Sequence, residues 1–275
     1  MSRNQEAAVG PRDIRVTVRE KYGDIAEGRS CGCGCGCSLD QPEKAEAGAT
    51  AAVLDQIGYT AEQKASVPEG SNLGLGCGSP LAFARARSGE AVLDLGSGAG
   101  IDCFLAAREV GPTGHVIGVD MTPAMVERAR ANQAKGDYAN VEFRLGEIEH
   151  LPVADASVDL IISNCVVNLS PDKPQVFREA LRVLKPGGRM LVSDLVLTRP
   201  LPPEARKDVD LYVGCVAGAS LREDYLRMMR EAGLADVEVV GEGHYDVGLD
   251  ALPADSRERE ALAAVSSVKV RARKP

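Results

Sequence analysis

The run Ala91-Val92-Leu93-Asp94-Leu95 ends in three alternating glycines, Gly96, Gly98 and Gly100, and Ile101 then opens a helix-like segment. A short apolar strand, a tight glycine turn and a helix N-terminus bring backbone N–H groups close to a ligand with a nucleotide-like body. From this point strand-like and helix-like stretches alternate. Strands are predicted over Ala91–Leu95, His115–Val119, Val141–Leu145, Val158–Ser163 and Arg189–Val196. Helices are predicted between them over Ile101–Val110, Pro123–Lys135 and Pro174–Leu184. That alternation predicts an α/β fold, a parallel sheet with helices on both faces. Thr122 before Pro123 is a good helix start, and Lys185-Pro186-Gly187-Gly188 a helix stop.

Outside this core the rhythm changes. Ile14, Val18, Tyr22 and Ile25 fall at helical spacing and predict a short amphipathic helix over Asp13–Ile25, and Gln41 to Thr60 offers a second short helix. Residues 67–80 read as a glycine-rich loop carrying Cys77. After residue 197 a proline-rich, charged stretch leads to Asp210-Leu211-Tyr212-Val213-Gly214-Cys215, which reads as a cap over the carboxyl edge of the sheet. A helix over Leu221–Ala232 and an antiparallel pair, Val237–Val240 with Ser267–Arg273, follow. The chain thus divides into an N-terminal extension (1–70), a core (71–197) and a cap with the C-terminal part of the sheet (198–275).

A net charge of −8 over 275 residues argues against nucleic acid as a partner, which needs a clustered basic surface. No stretch approaches a membrane span, and the first residues hold no apolar signal core, so a cytoplasmic protein with no membrane partner is expected. In a reducing compartment its 8 cysteines point to metal binding or thiol chemistry rather than to a disulfide framework.

Ligands of open α/β sheets sit outside the carboxyl ends of the strands, and three such ends carry chemistry. The first holds Asp94 with Gly96, Gly98 and Gly100. The second holds Asp120, placed to accept from ribose hydroxyls. The third holds Gly146-Glu147-Ile148-Glu149, where a carboxylate can meet an adenine amino group, with Glu149 preferred over Glu147. Nicotinamide dinucleotide loops use Gly-x-Gly-x-x-Gly to cradle a pyrophosphate. Here the third glycine comes one residue early, and Asp94 repels a pyrophosphate but suits a cation. S-adenosylmethionine, with a sulfonium and an α-ammonium, fits. A glycine turn needed only for packing is the competing reading.

The motifs Asp94-Leu95-Gly96-Ser97-Gly98-Ala99-Gly100, Val119-Asp120-Met121-Thr122 and Leu184-Lys185-Pro186-Gly187-Gly188 resemble those of class I S-adenosylmethionine-dependent methyltransferases over about residues 70–240. The resemblance implies a Rossmann-like, mostly parallel seven-stranded sheet.

The methyl acceptor is read from the thiols. Cys165 follows the fourth strand, Cys215 sits in the cap and Cys77 in the glycine loop, so all three are able to reach one pocket. Three converging thiolates suit a soft, three-coordinate thiophilic centre. A closed zinc site would favour four ligands with Cys-x-x-Cys steps, which these three lack. The segments Ser163–Leu169, Tyr212–Ala219, Gly76–Gly78 and Val18–Gly23 resemble the arsenite methyltransferases. That resemblance implies methyl transfer from S-adenosylmethionine to trivalent arsenicals as a detoxification. It implies Cys165 and Cys215 as the arsenic-binding pair and Cys77 as a third thiol used in turnover. It also implies Asp94, Gly96, Gly98, Gly100, Asp120, Met121, Ile148, Glu149 and Asn164 around the cofactor, and a thiol reductant, thioredoxin or glutathione, for repeated turnover. The alternatives are a carbon or oxygen methyltransferase of a lipid-like or quinone substrate, and a non-catalytic arsenic- or metal-binding protein. Cys103 reads as a small core residue. His115, His150 and His244 sit in no constellation. Cys31, Cys33, Cys35 and Cys37, alternating with glycine, depart from the family's cysteine pair and read equally as an arsenite collector, a disulfide relay or a tail without catalytic part.

Overall fold

A computed structural model describes residues 11–30, 57–244 and 256–275. The Cys31–Cys37 repeat and nearly all of the helix expected over Gln41–Thr60 lie outside the described residues.

In chain order the elements begin with helix α1 (Pro11–Ala26) and two short helices, α2 (Ala61–Ala65) and α3 (Leu81–Ala84). The core follows as β1 (Ala91–Leu95), α4 (Ile101–Val110), β2 (His115–Asp120), α5 (Pro123–Gln133), β3 (Val141–Leu145), β4 (Val158–Asn164), α6 (Lys173–Val183) and β5 (Leu184–Leu197). A cap segment carries α7 (Val209–Val213), and α8 (Arg222–Glu231), β6 (Ala235–His244), α9 (Arg257–Leu262) and β7 (Val265–Arg273) close the chain. The seven strands run in the order β3-β2-β1-β4-β5-β7-β6. β1 pairs in parallel with both β2 and β4, while β7 runs antiparallel between β5 and β6. The α/β reading therefore holds, and β6 and β7 are longer than the predicted pair.

Both faces of the centre of the sheet are covered, so the central strands β1 and β4 are buried along most of their length. Val92, Leu160 and Ile162 pack with Phe104 and Val110 on one face. Leu93 and Ile161 pack with Val176, Phe177 and Tyr225 on the other. Phe177 meets Tyr225 edge to face at 5.4 Å, a favourable aromatic geometry.

The helix stop falls as expected, α6 ending at Val183 just before Lys185–Gly188, but these four residues also form a bulge within β5. Val158 pairs with Leu184 and Leu160 with Arg189, so the intervening residues loop out. Gly187 takes a φ of +75° there and donates its N–H to Lys274 O at 3.0 Å.

The chain moves from β1 outward to β3 and then returns to β4 on the other side of β1. Adjacent loops leave in opposite directions at that switch, opening a crevice at the carboxyl ends of β1 and β4. Helix α1 and the cap lie over it. Val18 and Tyr22 of α1 pack with Cys77, Cys165, Leu195, Cys215 and Val216 in a separate apolar cluster.

Candidate active site

A cavity of about 420 Å³ fills this crevice, within the range of small-molecule sites. Among the described residues six carboxylates line it, from Asp94, Asp102, Asp120, Glu149, Asp208 and Asp210, against the single guanidinium of Arg15. Such a lining repels a pyrophosphate and favours a cationic ligand.

Gly96 turns the chain at φ +67°, and a Cβ there would stand 2.1 Å from Val166. Only glycine lets the loop pass so close to the residue after Cys165. Gly98 donates its N–H to Asp120 Oδ2 at 2.9 Å, and Thr122 donates to Oδ1 at 2.8 Å. These two donations pull the Asp120 pKa down, but burial dominates and leaves it above the usual carboxylate value. Gly100 differs from its expected place. It caps α4 at φ +98° and faces the Phe104 and Phe143 rings rather than the cavity. The third glycine is needed for close packing behind the loop.

Asp94 is 2% exposed and accepts a hydrogen bond from the Cys103 thiol at 3.3 Å. Burial and the nearby Asp102 carboxylate push its pKa well above normal. Cys103 is thus a core residue, as expected, with a polar contact as well. Met121, Ile148 and Glu149 line the cavity, whereas Glu147 does not. Glu149 accepts from Ser170 Oγ at 2.6 Å and pairs with Arg15 at 3.2 Å. Glu147 is held outside by Arg15 and Arg19, so α1 is clamped to this strand end by two arginines. Asn164 also lines the cavity, but its amide is committed within the protein. It donates to Gly78 O at 2.6 Å and accepts from Cys77 N at 3.0 Å, tying the glycine loop to β4.

The three thiols meet, though not as equals. Cys165 and Cys215 line the cavity, and both adopt a left-handed backbone, with φ of 59° and 64°. Non-glycine residues pay for that conformation in strain, which persists where surrounding structure enforces it. Cys165 N–H is held by Ser193 O at 2.8 Å, and the Cys215 thiol donates to Cys165 O at 2.8 Å. Cys77, 2% exposed, lies outside the cavity lining, its sulfur within 4.8 Å of that of Cys165. The expectation that all three open onto one pocket is corrected accordingly. The Cys215 and Cys77 thiols, with burial, push the Cys165 thiol well above its ordinary pKa, and burial raises that of Cys77. All four described cysteines are free.

The sequence reading missed three groups. Asp194 lies with the Cys77 and Cys165 sulfurs in a cluster whose ligand atoms are all within 4.8 Å. Burial raises its pKa to about 7 against donations from Leu195 N–H and Tyr225. A lone acid inside the apolar run Met190–Leu197 was the available signal. Asp102, among apolar residues at the start of α4, carried a similar one. Tyr59, whose hydroxyl meets Asp102 at 2.8 Å, carried none.

The fold and this acid-lined crevice define a class I methyltransferase, and a profile described as a methyltransferase domain matches residues 86–233. The whole chain is 50% identical over 280 residues to the arsenite methyltransferase of Halobacterium salinarum, of which it covers 71%. It is 40% identical over 158 residues to the human arsenite methyltransferase, spanning 42% of that protein. The crystal structure of an arsenic(III) S-adenosylmethionine methyltransferase from Chlamydomonas reinhardtii superposes with a TM-score of 0.63 at 36% identity, covering 82% of this chain and 73% of the other. The chain belongs to the arsenite methyltransferase family.

Proposed function

We propose that the protein transfers the methyl group of S-adenosylmethionine to trivalent arsenic held by Cys165 and Cys215. The observation that carries this reading is that one cavity is lined both by the glycine loop with its carboxylates and by these two thiols. When bound, S-adenosylmethionine supplies an electrophilic methyl group on a sulfonium centre. Asp94 faces its cationic end, Asp120 accepts from the ribose, and Ile148 with Glu149 borders the adenine. Gly96 and Gly98 bring backbone close, with Met121 beside the loop. Asn164 acts by holding the Cys77 loop in place.

Each thiol of Cys165 and Cys215 replaces one arsenic-bound hydroxide, the sulfur–arsenic bond forming as the thiol proton leaves with hydroxide as water. The raised pKa of the Cys165 thiol is compatible with this condensation, in which the proton leaves only as the bond forms. The two cysteines then orient arsenic so that its lone pair faces the methyl carbon. No protein base is needed for the transfer, because that lone pair carries no proton, and alignment is the main contribution. Methylation oxidises arsenic by two electrons. Cys77, whose sulfur lies within 4.8 Å of that of Cys165, attacks the arsenic-bound Cys165 sulfur. The disulfide forms, the arsenic–sulfur bond breaks with its electron pair staying on arsenic, which returns to the trivalent state, and the Cys77 proton passes to solvent. A thiol reductant such as thioredoxin or glutathione then restores the pair. A cytoplasmic setting and a role in arsenic detoxification accord with this thiol dependence. Among the described residues no helix is long and apolar enough to cross a membrane.

The test is incubation with S-adenosylmethionine, arsenite and glutathione, with speciation of the arsenic. Methylated arsenicals are expected, and their absence from folded, cofactor-binding protein overturns the reading.

A further inference from the structure

Asp94 and Asp102 are buried together where the cavity meets β1 and the first turn of α4, at 2% and 4% exposure, and both line it. Among the described residues no lysine or arginine pairs with either. Asp94 receives the Cys103 thiol. Asp102 receives the Tyr59 hydroxyl, 2.8 Å from each of its oxygens, and the Asn164 amide at 3.4 Å. Asn164 also donates to the Tyr59 oxygen at 3.0 Å. Tyr59 is itself fixed, since Thr60 and Gln63 form a reciprocal capping box directly after it. Two anions in one water-poor pocket repel each other strongly and persist only where something offsets the charge. Neutral donors align Asp102 but supply no countercharge, and the charge is left for a ligand.

We propose that Asp102 is a second cation-binding carboxylate of the cofactor site, taking the sulfonium of S-adenosylmethionine while Asp94 takes its α-ammonium. Tyr59 and Asn164 are positioning residues that aim Asp102. The inference rests on reading this cavity as the cofactor site. Its consequence concerns product release. When the methyl group leaves, the electron pair of its bond to sulfur stays on sulfur, and the sulfonium becomes a neutral thioether. S-adenosylhomocysteine keeps the ammonium alone, so one carboxylate loses its partner at the moment the reaction is complete. Burial already raises the Asp102 pKa to about 6, which favours proton uptake by the emptied group.

Calorimetric affinities for S-adenosylmethionine and S-adenosylhomocysteine test this, using the full chain, Asp102→Asn and Tyr59→Phe. Removing one charge-assisted contact is expected to weaken the sulfonium ligand by about tenfold or more in Asp102→Asn, and the thioether by less than about threefold. Tyr59→Phe keeps the carboxylate and is expected to show the same selectivity with a smaller loss. Equal factors for the two ligands in Asp102→Asn overturn the proposal. If thermal melting shows that variant unfolded, equal factors in Tyr59→Phe do so instead. Failure of the unaltered protein to bind either ligand overturns the cofactor-site reading itself. Binding of both with an unchanged ratio in the variants sinks only the role of Asp102.

Discussion

The two ends of the cavity are built in opposite ways. The end proposed for the cofactor comes from consecutive strand–helix units, and its groups lie at the tips of neighbouring parallel strands. Asp94 is the penultimate residue of β1, Asp120 closes β2, and Ile148 with Glu149 follows β3. The acceptor end draws Cys77, Cys165 and Cys215 from a loop before the sheet, a strand tip and the cap. Its two cavity-lining cysteines sit in a left-handed backbone. Regular secondary structure supplies accurate placement for a large, familiar ligand. Gathering a small thiophilic centre takes irregular backbone, kept in place by long-range contacts such as Cys215 to Cys165 O.

If the ends are separable in this way, substitutions divide cleanly between them. The largest effect is expected for Cys165→Ser or Cys215→Ser, with arsenite methylation lost below detection and S-adenosylmethionine affinity within about twofold by calorimetry. A parallel loss of cofactor affinity would break the comparison. Asp120→Ala is the converse, with cofactor affinity falling about 10- to 100-fold through loss of hydrogen bonds to a charged acceptor. Arsenite binding, counted by mass spectrometry, should be unchanged. Gly96→Ala probes the seam, because its Cβ would collide with Val166 beside Cys165. Strain and overpacking together predict a loss of about 2–4 kcal/mol in denaturant unfolding, partly recovered by adding Val166→Ala. The smallest effect is on pH dependence. Asp194 carries a pKa of about 7 when folded, well above its unfolded value, so the folded state holds that proton more tightly. Its contribution is fully present below the unfolded pKa and is lost as pH rises through about 7. Asp194→Asn should flatten the stability profile between pH 4.5 and 7.5, and an unaltered slope would contradict the assignment.

The same division explains what the sequence disclosed. Alternating glycines, a terminal acid and helix-length spacing are local signals, and they located β1, α4 and the glycine turn between them closely. Helix α4 takes its predicted bounds, Ile101–Val110. Chemistry of residue type singled out Cys165 and Cys215 despite their separation, because soft thiols in flanking motifs are distinctive. Depth was not legible. Nothing local distinguishes Cys77, buried outside the cavity lining, from a thiol that opens onto the cavity, or Gly100, packed against Phe104 and Phe143, from a loop glycine that faces a ligand. The pairing of Arg15 with Glu147 across 132 residues depends on the finished fold, and so does the meeting of Tyr59 with Asp102.

The place of β7 bears on when the protein becomes competent. Although last of the seven strands in chain order, it lies between β5 and β6, and Ser267 within it donates to Cys77 O at 2.7 Å. During synthesis the glycine loop and β1 to β5 emerge well before the strand that must enter beside them. Until β7 arrives, the edge of β5 is open and the Cys77 loop lacks one of its anchors. Pairings between distant segments of this kind form late. A ribosome-bound chain halted before Val265 would therefore display the cofactor end of the crevice ahead of a settled thiol cluster.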